Sequence, residues 1–344
     1  MHPDQNNPSY LRTGSTFIQF EKLLIWRKQI RRDSFFFQLW LWGKYLLLML
    51  IILKCIYFPD VAFAKTPIKI VISPYSAYLD YQNANLKQWG YNAGLYGYLG
   101  YGMNHAFEID ANYTFFDIVD QLIFPISMDS SIAIPLDDFT QSDITFIYSN
   151  YSIKRWKIRT GVHYLKTDDK STDGSVVLFV GLHRYVPYFY TIGVNFYNSS
   201  YQNANPSLNV LQISPQAGYY FGDYFSYGSF YIDLRVHYIS LSDEVGWAQQ
   251  SFISFRPSLS YFFKKLTLNG YCWFGEQAYA VRNDGFVIYY LPEKYRSGFG
   301  ASLKMQWNSN LSTFISFSKE VFEELGNSAD VFSSTALFSL SWTF

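Results

Sequence analysis

The chain of 344 residues is poor in cysteine, in charged side chains and in long apolar runs. Only two cysteines occur, and Cys55 lies in an N-terminal segment that we expect to be removed, so Cys272 has no intrachain partner for a disulfide. Charged residues make up 16% of the chain. Beyond the N-terminal segment no run of 18 apolar residues occurs, and the mean hydropathy of −0.04 is too low for a protein built from membrane-spanning helices.

Aromatic residues are abundant, with 31 Tyr and 32 Phe and an aromatic share of 21%. A soluble enzyme rarely combines so many aromatic side chains with so few charges. A transmembrane β-barrel does, because only every second residue of each strand faces lipid, and this keeps the mean hydropathy near zero. The composition therefore favours a barrel.

The N-terminal segment has the order of a secretory signal peptide. The basic residue Lys44 precedes an apolar stretch over residues 46–58, and an A-x-A motif ends at Ala64. This order predicts Sec-type export with cleavage after Ala64. It divides the chain into an N-terminal extension with signal peptide, 1–64, and an outer-membrane barrel, 65–344.

Cleavage also changes the charge of the chain. Residues 1–64 carry 8 basic and 4 acidic side chains out of 27 of each, so 19 basic and 23 acidic ones remain and the net charge is about −4. A negative chain argues against a nucleic-acid partner. Two alternatives stay open: the apolar stretch is an uncleaved helical anchor, or translation begins after residues 1–43.

From Pro67 onward the residues alternate between apolar and polar, as in strands with two different faces. In "FYIDLRVHY", residues 230–238, the apolar side chains fall on one face and Asp233, Arg235 and His237 on the other. A soluble β-sandwich would show the same local pattern. The number, length and spacing of the strands decide between the two.

Fourteen strands are predicted, most of them long enough to cross a bilayer at a tilt. The connections between the predicted strands alternate between short and long, as the periplasmic turns and external loops of outer-membrane barrels do. The predicted fold is all-β, a transmembrane antiparallel up-and-down β-barrel of about 14 strands, with 12 or 16 as alternatives. The predicted strands are 68–82, 89–103, 105–118, 143–153, 156–168, 174–185, 188–201, 208–222, 227–241, 250–263, 266–280, 294–307, 311–321 and 330–344.

The last strand carries the most specific signal. Phe338, Leu340, Trp342 and the C-terminal Phe344 alternate with Ser339, Ser341 and Thr343 in the closing segment. This segment resembles the final strand of Gram-negative outer-membrane β-barrel proteins, a porin-like superfamily. The resemblance implies recognition of this strand by the barrel-insertion machinery, pairing with the first strand, and residence among the lipids of the outer membrane.

If the apolar face meets lipid, the alternate face lines a lumen. The predicted lumen or selectivity residues are Glu108, Asp110, Lys157, Arg159, His163, His183, Asp233, Arg235, His237, Arg256, Arg296 and Lys304. The acidic ones lie on an early wall and most basic ones on later walls, which is compatible with a field across a wet channel. The alternative is that these charges pair with neighbours and fill a narrow interior.

The connection over residues 119–142 is unusually apolar for an exposed loop. It is predicted either to fold into the barrel as a constriction, to contain two more short strands, or to form an external hairpin that contacts a partner.

The sequence contains no motif for catalysis, and no cofactor is predicted. It lacks H-x-H and H-E-x-x-H metal-binding spacings, a Walker loop and a dinucleotide fingerprint. The predicted function is therefore a passive or weakly selective channel for small polar solutes. The alternatives are a non-conducting barrel with a structural, assembly or surface-contact role, and an outer-membrane enzyme.

Overall fold

The structure is a computed structural model that describes residues 68–344, apart from 120, 128–129, 136–137, 245–248, 290, 292 and 325–328. Within 121–135 it describes the backbone pairing only. The predicted signal peptide and its cleavage after Ala64 lie outside the described residues.

The described residues form eighteen strands and one short 3-10 turn, Asn283–Gly285. The strands are β1 (Ile68–Gln82), β2 (Lys87–Tyr101), β3 (His105–Ile118), β4 (Gln121–Ser127), β5 (Ser130–Pro135), β6 (Phe139–Asn150), β7 (Trp156–Thr167), β8 (Val176–Val186), β9 (Tyr190–Tyr201), β10 (Leu208–Asp223), β11 (Gly228–Leu241), β12 (Ser251–Phe263), β13 (Leu266–Gln277), β14 (Val281–Arg282), β15 (Val287–Ile288), β16 (Glu293–Gln306), β17 (Leu311–Glu324) and β18 (Val331–Thr343).

Fourteen of these strands close into an antiparallel barrel in which each strand pairs with its neighbour along the chain, the small β4–β5 and β14–β15 sheets being insertions. The barrel closes where β1 pairs with β18, from Val71 opposite Thr343 to Gln82 opposite Phe332. Beyond this ladder the backbone N–H of Phe344 donates to the carbonyl of Ile70 at 2.9 Å. The predicted all-β, up-and-down barrel of fourteen strands is confirmed.

Alternation places apolar side chains outside the barrel and polar side chains inside, because successive residues of a strand point to opposite faces. On β11, Ile232 is 51% exposed while its neighbour Asp233 is 7% exposed. On β18, Phe338 is exposed and Ser339 is buried. The aromatic and hydroxyl-bearing faces of the final strand are thus its outer and inner faces.

The two ends of the barrel differ in their connections. One end, called the turn end, carries short connections and also the first and last barrel residues, Ile68 and Thr343; the opposite end is called the loop end. The connections at the turn end cover 102–104, 151–155, 187–189, 224–227, 264–265 and 307–310. Those at the loop end cover 83–86, 119–138, 168–175, 202–207, 242–250, 278–292 and 325–330.

The bounds of the fourteen barrel strands agree with the predicted ones to within four residues. The largest difference at a strand start is at β6, which begins at Phe139 instead of residue 143 because Phe139 pairs with Phe116 of β3. The apolar connection before it holds the separate hairpin β4–β5, whose strands pair with each other. Of the three alternatives predicted for residues 119–142, the structure shows the two additional short strands.

Removal of residues 331–344, which comprise β18 and Phe344, is predicted to abolish the closed barrel, because β1 and β17 would each be left with an unpaired edge. Folded barrels resist SDS and migrate faster in a gel before boiling than after. The truncated chain should show no such shift.

Removal of the hairpin, residues 121–135, is the matched control, since β4 and β5 pair only with each other. This variant should keep the gel shift. Equal loss of the shift in both variants would contradict the closure argument.

Candidate functional site in the barrel lumen

The connection between β13 and β16, residues 278–292, folds into the barrel and is called the inward loop. Ala278, Ala280 and Val281 of this loop are almost fully buried. Its apolar side chains pack in a cluster against residues from six barrel strands near the loop end: Phe139, Leu165, Tyr201, Leu208, Val210, Ile239, Leu241 and Phe252. The lumen is therefore narrowed by a connection for which the sequence analysis predicted no inward fold.

Gln212 of β10 fixes the middle of the inward loop. Its side-chain amide donates to the carbonyl of Val281 at 2.7 Å, and the N–H of Val281 donates to its side-chain oxygen at 2.8 Å. Both partners are almost fully buried. The side-chain amide of glutamine carries a donor and an acceptor side by side. It can therefore bind the N–H and the carbonyl of Val281 at the same time, as the backbone of a neighbouring strand would.

The tip of the inward loop reaches the wall formed by β7 and β11. Arg235 donates through Nη1 to Oδ1 of Asp284 at 2.7 Å, and Arg159 donates through Nη1 to the Asp284 carbonyl. Enclosure in the barrel disfavours the charged carboxylate, yet Arg235, Arg159 and Lys157 together hold the pKa of Asp284 well below its usual range. The stabilisation from this contact is present above the ordinary aspartate pKa and is lost only as the pH falls through the lowered value.

A second ion pair holds the inward loop to the opposite wall. Arg282 binds Glu320 of β17, and its guanidinium lies 4.4 Å from the ring centre of Trp273 and 4.3 Å from that of Tyr289. Tyr289 and Trp273 also donate to Glu320, at 2.7 and 3.2 Å. The loop therefore crosses the lumen and is attached on both sides.

Two cavities border the inward loop. The larger one, about 950 Å³, lies between the loop and the wall of β1–β3, β13 and β16–β18. Its polar lining includes Ser73, Tyr75, Asn92, Asp110, Asn112, Asn269, Ser302, Lys304 and Ser341. The smaller one, about 460 Å³, lies between the tip of the loop and β7–β10, near the turn end.

The larger cavity ends near the loop end at an ion pair between Lys87 of β2 and Glu293 of β16. The ammonium of Lys87 lies 4.6 Å from the ring centre of Tyr81 and 5.2 Å from that of Phe322. Lys87, Glu293 and Phe322 are all buried, although each lies at a strand end beside the loops. Lys87 and Glu293 therefore line the cavity where it reaches the loop end.

The predicted acidic residues on β3 are bound by neighbours. Glu108 accepts a hydrogen bond from Tyr96 at 2.8 Å and lies 3.8 Å from Arg159. Asp110 accepts from Tyr75 at 2.9 Å. On β11, Asp233 lies 3.7 Å from Arg235. Glu108 and Asp233 thus lie beside arginines, whereas Asp110 is bound by a tyrosine hydroxyl.

The three predicted histidines face the interior and are engaged in hydrogen bonds. His163 contacts Asp143 at 3.2 Å and Thr145 at 2.8 Å. His183 contacts Asn195 at 2.9 Å, and His237 contacts Ser214 at 2.8 Å.

The remaining predicted basic residues occupy different places. Lys157 lines the smaller cavity, whereas Arg256 and Lys304 line the larger one. Arg296 lies outside both linings, exposed, and binds Glu323 and, at 3.1 Å, Asp330. The β-bulge between Tyr295 and Ser297 shifts the alternation there, and simple counting along the strand therefore misplaces Arg296. A selectivity role for these residues stays a prediction.

The inward loop contains residues that the sequence analysis did not single out, above all Asp284, Arg282 and the anchor Gln212. One signal was present in the sequence: residues 286–289, Phe-Val-Ile-Tyr, are apolar in a long connection, as the residues of 119–142 are. The sequence does not indicate which of the two apolar connections enters the lumen, because folding inward would bury the apolar side chains of either one.

No protein-family model matches the chain, and no curated protein matches it. Among solved structures, a bacterial polysaccharide outer membrane secretin superposes with a TM-score of 0.50 and 8% identity, over 82% of this chain and 100% of the other. The structure has an outer-membrane β-barrel fold. Weaker similarities include the toluene transporter TbuX of Ralstonia pickettii (TM-score 0.46, 10% identity, 81% and 90% coverage) and OccK8 of Pseudomonas aeruginosa (0.37, 11%, 80% and 98%). The described residues include no helix long and apolar enough to cross a membrane.

Substitution of Gln212 by Ala is predicted to loosen the inward loop, because two buried backbone groups of Val281 lose their partners, at a cost of about 1–3 kcal/mol. Hydrogen exchange of the Val281 amide should accelerate by roughly tenfold or more. Thr145→Ala on the inward face of β6 is the control, since the buried hydroxyl of Thr145 contacts His163 rather than the loop. Unchanged exchange in Gln212→Ala would show that the loop is held without this anchor.

Proposed function

We propose that the protein is an outer-membrane channel for small polar solutes, exported to the outer membrane of a Gram-negative bacterium. Its pathway is the larger cavity, which passes beside the inward loop. The Lys87–Glu293 pair closes the pathway at the loop end in this conformation. The closing strand, with Phe338 and Phe344 exposed on its outer face, is the segment that the insertion machinery would bind.

The extent of the larger cavity is the observation that carries this proposal. The cavity is lined by Lys69 near the turn end and by Tyr81 near the loop end, both on β1. These residues are twelve positions apart, so the cavity follows the strand for about 40 Å at ~3.3 Å per residue. A purely structural interior would be filled to the density of a protein core. The free space therefore supports passage along this wall.

The lining supports a polar solute. Hydroxyl, amide and charged groups from several strands face the cavity, among them Ser73, Asn92 and Asn112. Asn92 already binds its neighbours, donating to Asn112 at 2.9 Å. Aromatic side chains such as Tyr271 complete the lining and offer flat surfaces to a passing solute.

A non-conducting barrel is the second candidate. The attachment of the inward loop to both walls, through Asp284 and Arg282, favours it, because such a brace also serves a rigid structural barrel.

Shortening of the inward loop tests the channel. Gln277 at the end of β13 pairs with Tyr295 of β16, so replacement of residues 280–291 by Gly-Gly still joins the two strands. Single-channel current of the purified protein in planar bilayers should rise about twofold or more, since a fourteen-stranded barrel without this filling has a wide interior.

Replacement of residues 169–174 by Gly-Gly is the matched control. That connection is held by its own hydrogen bonds from Ser171 and Thr172 to Asp169 and does not line either cavity. Its conductance should match that of the parent chain. Absence of current from both the parent and the shortened-loop variant, each correctly folded, would refute the channel.

Removal of the closing ion pair is predicted to increase the fraction of time the channel is open. The double substitution Lys87→Ala and Glu293→Ala avoids leaving one buried charge without its partner. The exposed pair Arg296 and Asp330 at the same end provides the control, as a double alanine variant. The proposed site of closure is wrong if both double variants give the same open probability in single-channel recordings.

A further inference from the structure

The smaller cavity combines a small-molecule volume with an excess of positive charge. Its volume of about 460 Å³ is within the range of small-molecule sites. Lys157, Arg159 and His183 line it, and Asp284 is the one carboxylate among the described lining residues. Aromatic and amide side chains, including Tyr151, Asn195 and Gln216, complete the wall.

Several polar groups of this wall lack full partners. Lys157 makes no ion pair with any described residue and lies 5.9 Å from the ring centre of Tyr151. The Nε–H of Arg159, a side chain 3% exposed, finds no acceptor in the part of the chain that the structure describes. The side-chain oxygen of Gln216 likewise has no described donor. The two cations retain hydrogen-bonding capacity for an additional acceptor.

The inward loop already places a carboxylate in this site. Asp284 accepts from Arg235 through its carboxylate and from Arg159 through its carbonyl, and its side chain remains 40% exposed beside the cavity. The backbone there is left-handed at two successive non-glycine residues, with φ of 47° at Asn283 and 57° at Asp284. Asn and Asp adopt this conformation more readily than other non-glycine residues, so these two residue types suit the turn that brings Asp284 to the basic cluster.

We propose that the smaller cavity binds a small organic carboxylate, and that Asp284 occupies the same basic cluster as a built-in competitor. Lys157 and Arg159 hold a carboxylate of the incoming molecule, and polar side chains of the lining such as Tyr151, Thr191 and Asn195 accommodate its remaining polar groups. This binding site goes beyond the proposed channel, because occupancy of the cavity does not require conduction.

Titration with succinate tests the proposal, with neutral succinamide as the control for shape. Calorimetry on the full chain, purified in detergent at low salt and pH 7, should show saturable binding of succinate and none of succinamide. In Asp284→Asn the competitor loses its charge, and the affinity for succinate should rise at least fivefold. Arg159→Gln in the Asp284→Asn background should abolish the binding.

Asp80→Asn is the control for net charge, because it removes the same charge outside the lumen. Leu79 and Tyr81 of β1 face the lumen, so Asp80 between them faces outward. Its succinate affinity should equal that of the parent chain. Absence of saturable binding in folded Asp284→Asn would overturn the proposal, and so would an equal gain in Asp80→Asn. A protein that binds succinate but carries no current would refute the channel and retain this site.

Discussion

The structure depends on the closure of its sheet, because an open sheet leaves a row of backbone N–H and C=O groups without partners at each edge. In the proposed membrane environment no water would replace those partners, so closure becomes a requirement. The pairing of β1 with β18 meets this requirement. Closure then determines the rest of the structure: one face of each strand is the outer surface, the other face lines an enclosed space, and polar side chains on the inner face need partners inside.

The inward loop provides many of those partners. Gln212, Arg235 and Glu320 stand on three different barrel strands, and each binds a residue of the same connection. The loop also divides the interior into two unequal spaces with different chemistry. Along one wall lies a long cavity lined by hydroxyl and amide groups, and near the turn end lies a compact basic one. A single connection thus determines both the shape and the charge of the lumen.

The barrel could be predicted from the sequence because alternation is a local property, repeated in each strand. Ile232 and Asp233 show it, since the first side chain lies on the outer surface and the second faces the lumen. The inward loop could not be predicted, because its position depends on contacts between distant residues such as Gln212 and Val281. The orientation of Arg296 could not be predicted either. A single β-bulge shifts the inward–outward alternation at this position, and the local sequence does not indicate the bulge.

The attachment of the inward loop also has a consequence for the order of assembly. Its contacts reach back to β7, β10 and β11 and forward to β17, where Glu320 binds Arg282. The loop therefore cannot reach its final position until a strand that follows it in the chain is in place. A barrel that grows strand by strand would stay hollow and hydrated through most of its insertion, and its interior would be filled only as the last strands join the wall.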